Sequence, residues 1–203
     1  EAETEIERVV PVISGLNGAM SIDTRKAAVA EAAIAAGAGM FNDVTALTFD
    51  SDSLRVATKA DAVCLMHSIG TPETMQDNPN YNNVLLDVFD FLSERIQACE
   101  AVGIPRHKIM IDPGIGFGKT VAHNLALIRN ISLFHTLGCP ILLGASRKST
   151  IHQIANVPDP QQRFAGSITL ALQGLNQGVQ MLRVHDIAET KQAIDLWQAG
   201  LGH

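Results

Sequence analysis

The sequence predicts an α/β fold on a parallel sheet, and three observations carry that prediction. First, short apolar runs recur along the 203 residues, separated by stretches long enough for a helix and a loop. Second, each run stops at a polar or charged residue that does not belong in a core. AMSI stops at Asp23, GMF at Asn42 and Asp43, AVCLM at His67 and KIMI at Asp112. GCPILLGAS stops at Arg147 and Lys148, and QML runs into Arg183 and His185. Polar residues at strand C-termini mark the active face of a parallel sheet, because the βα loops open to solvent there. Third, there are six such units, two short of an eightfold barrel of about 250 residues. The expectation is therefore a (β/α)8 TIM barrel of which about six βα units are present and the first two strands are missing. An open doubly wound sheet is the alternative that the same alternation allows.

The elements follow in order. Ile6, Val9, Val10 and Ile13 recur at helical spacing and predict a helix over 3–15. That helix opens the chain with no Met before it, so a fragment of a longer product is expected. Strands are predicted at 19–23, 39–43, 62–66, 108–112, 140–144 and 180–184. Helices are predicted at 25–36, 51–60, 82–102, 121–136, within 147–177, and at 186–199. The long helix keeps one apolar stripe of Val84, Val88, Leu92, Ile96 and Cys99. A loop rich in Pro, Asn and Thr fills 67–81. Gly37, Gly103 and Gly138 stand where helices should end. Pro105 and Pro140 fall in loops or at strand starts, where proline is tolerated.

With 46% hydrophobic and 18% charged residues the chain can bury a core, and a single domain over 1–203 is the economical reading. A net charge of -6 argues against nucleic acid as a partner but leaves room for an anion at a local basic cluster. Cys64, Cys99 and Cys139 are odd in number and widely spaced, which favours reduced thiols in the cytoplasm over a disulfide framework or a zinc site. No apolar run approaches the roughly 18 residues of a membrane span, and no signal peptide is recognised.

DPGIGFGKT at 112–120 has the outline of a phosphate-binding loop. Pro113 stands where the first glycine should be, however, and removes a backbone donor. Gly114, Gly116 and Gly118 are also too evenly spaced for a dinucleotide fingerprint. A flexible βα loop that offers the aromatic face of Phe117 is the better reading. Asp23 reads either as a helix cap, a task Thr24 performs equally well, or as a side chain in the mouth of the sheet. Asn42 and Asp43 read either as a turn or as site residues. Together with Asp112, short polar side chains at equivalent strand ends can read the donor and acceptor edge of a planar heterocycle. In SRKS a helix is expected to open at Ser146. Arg147 and Lys148 in its first turn would oppose the macrodipole, which suits an anion or carbonyl binder. Arg183 and His185 fall on one side of a strand and suit a diphosphate, a structural ion pair being the alternative for Arg183. His67 reads as a loop or hydrogen-bonding histidine rather than a metal ligand. Nothing resembles a Ser–His–Asp or Cys–His arrangement.

These residues resemble the dihydropteroate synthase family, the folate-pathway enzymes that sulfonamides target. The matching stretches are SIDTRKAAVAEAAIAAGAGMFNDVTAL, CLMHSIGTPETMQ, IMIDPGIGFGKT, LLGASRKSTI, RFAGSITLALQG and MLRVHD. The resemblance implies a transferase that condenses 6-hydroxymethyl-7,8-dihydropterin diphosphate with 4-aminobenzoate. It implies pterin contacts from Asp23, Asn42, Met66, Asp112, Phe117 and Lys148, with Asp23, Asp112 and Lys148 closest to the chemistry. Arg183 and His185 would hold the diphosphate, with Mg2+ on the phosphates. The metal ligands stay unassigned, because the family's metal-binding Asn lies on a first-strand loop absent from this sequence. A homodimer is implied, with no nucleic acid or membrane partner. The rival readings are a methyltetrahydrofolate-binding corrinoid methyltransferase module and a non-catalytic pterin-binding paralogue. SRKS and RVHD favour the synthase, since a methyl donor without diphosphate has little use for them.

Overall fold

The computed structural model describes residues 1–70 and 79–201. These group into two compact units, one formed by residues 1–68, 88–112 and 137–139, the other by residues 69–87, 113–136 and 140–203. The TPETMQ part of the loop expected at 67–81 lies outside the described residues.

The first unit is a four-stranded parallel sheet. Its strands are β1 (Ser21–Asp23), β2 (Met40–Asp43), β3 (Ala62–Met66) and β4 (Ile109–Asp112), in spatial order 1-2-3-4. Helices α1 (Ala2–Gly15), α2 (Ala27–Ala35), α3 (Ser53–Ala57) and α4 (Val84–Ala101) alternate with the strands. Side chains alternate across a sheet, and one face here is almost wholly apolar. Ile22, Phe41, Val63, Leu65, Ile109 and Ile111 are buried on it. The predicted stripe of α4 is equally closed, with Val88, Leu92, Ile96 and Cys99 all buried. At ~25 cal/mol per Å2 of apolar surface, large aliphatic and aromatic side chains buried this fully dominate the unit's stability.

The second unit holds two parallel strands, β5 (Leu142–Leu143) and β6 (Met181–Leu182). Around them stand α5 (Val121–Arg129), α6 (Ser149–Ala155), α7 (Phe164–Leu175) and α8 (Ile187–Gly200).

All six strands and their helices stand where the apolar periodicity puts them, within a few residues. The helix expected over 121–136 is divided, because α5 stops at Asn130 and a 3-10 helix runs from Ile131 to Leu137. Gly37, Gly103 and Gly138 take the positive φ expected of helix-ending glycines. The helix expected to open at Ser146 begins instead at Ser149, with Lys148 extended at the N-cap. Arg147 is left-handed at φ 57°, so neither cation lies in the first turn and the macrodipole argument for them does not apply.

Candidate functional site

In the first unit, register decides which polar side chains share a face. Asp23 pairs with Asn42, Asn42 with Cys64 and Cys64 with Met110, so these four form one row across the sheet. Met66 pairs with Asp112 in the next row on the same face, two residues and ~6.6 Å nearer the strand C-termini. Asp23, Asn42, Met66 and Asp112 therefore look out from one face, opposite the apolar one. Asp23 is exposed, Asn42 half-buried, Met66 buried and Asp112 only 7% exposed. Asp23 does not cap the helix after it. That helix starts at Ala27, whose N–H donates to the Asp50 carboxylate at 3.0 Å, while Thr24 Oγ1 accepts from Lys26 N–H at 3.2 Å.

Asp43 faces the opposite way and is fully buried. Its carboxylate accepts from Thr45 N–H and Thr45 Oγ–H, both at 2.7 Å, and from Leu47 N–H at 3.1 Å. Burial raises its pKa against the pull of those bonds, and the Asp23 carboxylate adds to the rise. The turn it ties contains Ala46 and Leu47, both left-handed without being glycine. Arg95 Nε donates to the carbonyl of Ala46 at 2.9 Å and holds the same turn. The turn reading is right for Asp43, and the site reading is kept for Asn42. His67 packs edge-to-face on Phe91, ring centroids 5.0 Å apart, and its N–H donates to the Asp112 carbonyl at 3.0 Å. It is a packing residue that also braces the end of β4.

In the second unit, a cleft of about 520 Å3 opens among Gly144, Ser146, Arg147, Lys148, Arg183 and His185. Arg183 and His185 are exposed on either side of half-buried Val184, just past the end of β6 at Leu182. His185 is oriented by Ser146, whose Oγ lies 3.0 Å from Nδ1 and accepts from the His185 N–H at 3.3 Å. Arg147 is committed elsewhere. Its guanidinium makes a fork with the Asp186 carboxylate, which holds that acid below its usual range. Its strained backbone is clamped by Ser167 Oγ, which accepts its N–H, and by Arg163, which donates to its carbonyl at 2.9 Å.

The glycine-rich loop follows β4 and carries its own set of hydrogen bonds. Gly114, Gly116 and Gly118 are all left-handed, and the loop is tied at several points. Gly116 N–H donates to Asn124 Oδ1 at 2.8 Å, Tyr81 OH donates to the Gly118 carbonyl at 2.8 Å, and Lys119 Nζ to the Phe117 carbonyl at 3.0 Å. Burial pushes the Tyr81 phenol up to about 12, so it stays a donor. Thr120 is the helix cap in a capping box with His123, which explains the KT that imitates a phosphate loop. Lys148 Nζ sits 3.9 Å over the Phe117 ring centroid, a cation–π contact.

A family model described as pterin binding enzyme matches residues 1–185. The chain belongs to the pterin-binding enzyme family. The dihydropteroate synthase of Escherichia coli strain K12 is 38% identical over 203 residues, which cover 98% of this chain and 72% of that protein. A crystal structure of dihydropteroate synthase from Stenotrophomonas maltophilia, with imidazole bound in its active site, superposes with a TM-score of 0.95 at 40% identity. It covers 98% of this chain and 77% of its own. The Xanthomonas albilineans synthase in complex with 7,8-dihydropteroate superposes with a TM-score of 0.93 at 39% identity, covering 100% and 78%. The parallel α/β architecture expected from the sequence is thus shared with enzymes of this pterin-binding family.

Several residues that shape this family member's two polar surfaces escaped sequence reading. Asn124, Asp186, Arg163 and Arg95 act through partners 8 to 49 residues away, and no local pattern announces them. Burial pushes the Cys99 and Cys139 thiols up to about 11, so neither supplies a thiolate nucleophile near neutral pH. No three His, Cys, Asp or Glu side chains gather as a metal-ligand group among the described residues.

Proposed function

We propose that this chain condenses 6-hydroxymethyl-7,8-dihydropterin diphosphate with 4-aminobenzoate, giving 7,8-dihydropteroate and diphosphate, as a folate-pathway transferase. The observation that carries the reading is the shared face of Asp23, Asn42, Met66 and Asp112 at the strand C-termini of the first unit. A carboxylate there accepts from a ring N–H and an exocyclic amine together, and Met66 offers an apolar surface for a flat ring. In the second unit, Lys148 and Phe117 are assigned to the pterin, and Arg183 and His185 to the diphosphate. As the C–O bond breaks, positive charge spreads into the pterin, where fixed carboxylates at Asp23 and Asp112 stabilise it. The leaving diphosphate gains negative charge that Arg183 and a His185 held by Ser146 offset. The side chains need carry out little acid–base chemistry.

The basic lining of the second unit's cleft favours this reaction over methyl transfer from a folate that carries no diphosphate. The family match over residues 1–185 supports treating the whole chain as one pterin-binding domain. A cytoplasmic location is supported by three buried cysteines outside any disulfide. A homodimer is supported by the exposed apolar side chains Ile187 and Leu196 of α8 and is tested by sedimentation.

The deciding experiment is calorimetric titration with a dihydropterin diphosphate analogue beside Asp112→Asn. Replacing one carboxylate oxygen with an NH2 sets donor against donor and removes a charge-assisted bond of about 1.5–3 kcal/mol, roughly a 10- to 150-fold loss of affinity. Parent-like binding and turnover by Asp112→Asn would refute the assignment.

A further inference from the structure

We infer that Asn124 is a positioning residue that sets the geometry of the Phe117–Lys148 pair. Asn124 lies in the first turn of α5, where the Thr120–His123 capping box fixes the backbone, and it is 2% exposed. Asparagine is a poor choice inside a helix, because its side chain competes for backbone groups, so a buried one there needs a task. Every polar atom of this amide is used. Oδ1 accepts from Gly116 N–H at 2.8 Å, while Nδ2 donates to Thr150 Oγ1 at 3.0 Å and to the Lys119 carbonyl at 3.4 Å.

The two sides it joins are the two sides of the cation–π contact. Gly116 precedes Phe117 in the loop, and Thr150 follows Lys148 by two residues in α6. Gly116 also lies against the lysine stem, where an added Cβ would come 3.0 Å from Lys148 Cδ. A single rigid amide thus fixes the loop bearing the ring and the helix start bearing the ammonium. Aspartate would keep the acceptor and lose both donors, leucine would lose everything, and glutamine is one methylene too long. The bonds of Asn124 go to Gly116, Lys119 and Thr150, so its effect on the pair travels through the backbone beside each partner.

The kinetic part of the test rests on the pterin-condensing reading; the spectroscopic part does not. Lys148 εCH2 protons held over the Phe117 ring should resonate upfield of those of other lysines, and Phe117→Leu should abolish that shift and so assign it. In Asn124→Ala, and to a lesser degree in Thr150→Val, the signal should move back toward the ordinary lysine position. The KM for the dihydropterin diphosphate should rise about fivefold or more, with the KM for 4-aminobenzoate unchanged. Thr150→Val cuts one bond of the three and serves if Asn124→Ala does not fold. A folded variant whose melting temperature falls while the Lys148 signal and the pterin KM stay put would overturn the inference. If the parent neither binds pterin nor turns over, the functional reading fails, and the Lys148 signal still decides the positioning role.

Discussion

Asp43→Asn isolates what the buried carboxylate behind Asn42 does. Asp43 is fully buried and satisfies Thr45 N–H, Thr45 Oγ–H and Leu47 N–H at 2.7, 2.7 and 3.1 Å. A threonine hydroxyl can rotate, but the two backbone N–H groups cannot. Either orientation of the new amide therefore sets its NH2 against one of them, of Thr45 or of Leu47. Leaving a buried donor unmet costs about 1–3 kcal/mol. For a chain of this size each kcal/mol lowers the melting temperature by about 2–4 °C, so the expected fall is about 2–12 °C. The strain of left-handed Ala46 and Leu47 favours opening of the turn once that tie is gone. Hydrogen exchange should show the loosened amide among Thr45 and Leu47, and pterin affinity should drop with it, since Asn42 is the adjacent residue. Burial raises the folded pKa of Asp43 above its unfolded value of 3.8. Its titration therefore favours the folded state below pH 3.8, and that contribution is lost as pH rises through the folded pKa. Asp43→Asn removes this dependence. A variant that melts with the parent, with unchanged exchange at both amides, would refute the reasoning.

Two further outcomes follow from the second unit. Ser146→Ala removes the partner of His185 Nδ1, one neutral hydrogen bond of about 0.5–1.5 kcal/mol, so inorganic diphosphate should bind roughly 2- to 12-fold more weakly by calorimetry. Unchanged affinity would show that the imidazole needs no such orientation. Asp186 is held below its ordinary pKa by the Arg147 fork, so the pair's stabilising effect is present above pH 3.8 and is lost as pH falls through the folded pKa. Acid melts of Asp186→Asn should lack that limb, and a parent-like acid profile would remove the pair from the account.

Sequence periodicity was sufficient for the strands because those of a parallel sheet are short apolar runs, and their polar stops are read directly. Asp23 and Asp112 end their strands as expected, and Asn42 is the last residue but one of β2. Side-chain parity then separates Asn42 from Asp43, although the letters ND alone do not show which of them is the turn residue. The start of α6 was not legible for a different reason. SRKS has good helix formers, yet Arg147 is held left-handed by Ser167 and Arg163, 20 and 16 residues further on. Tertiary bonds there override local propensity. The bonds of the glycine loop were hidden in the same way, since they come from Tyr81 and Asn124, outside the motif.

The treatment of Arg147 bears on selectivity. Sequence counts Arg147, Lys148 and Arg183 as one cationic cluster, but the Asp186 fork neutralises the first of these. An Arg147 guanidinium without its carboxylate partner would raise affinity for any polyanion, substrate and product diphosphate alike, and binding both equally well does nothing for the chemical step. Ser167 and Arg163, not the fork, keep the Arg147 backbone in the conformation that places Lys148, extended, at the head of α6. The charge of Arg147 thus goes to the fork, within a chain whose net charge is -6. Asp186→Asn, which releases the Arg147 guanidinium and leaves its backbone bonds in place, should therefore tighten inorganic diphosphate by calorimetry without raising kcat; unchanged or weaker diphosphate binding would refute the neutralising role of the fork.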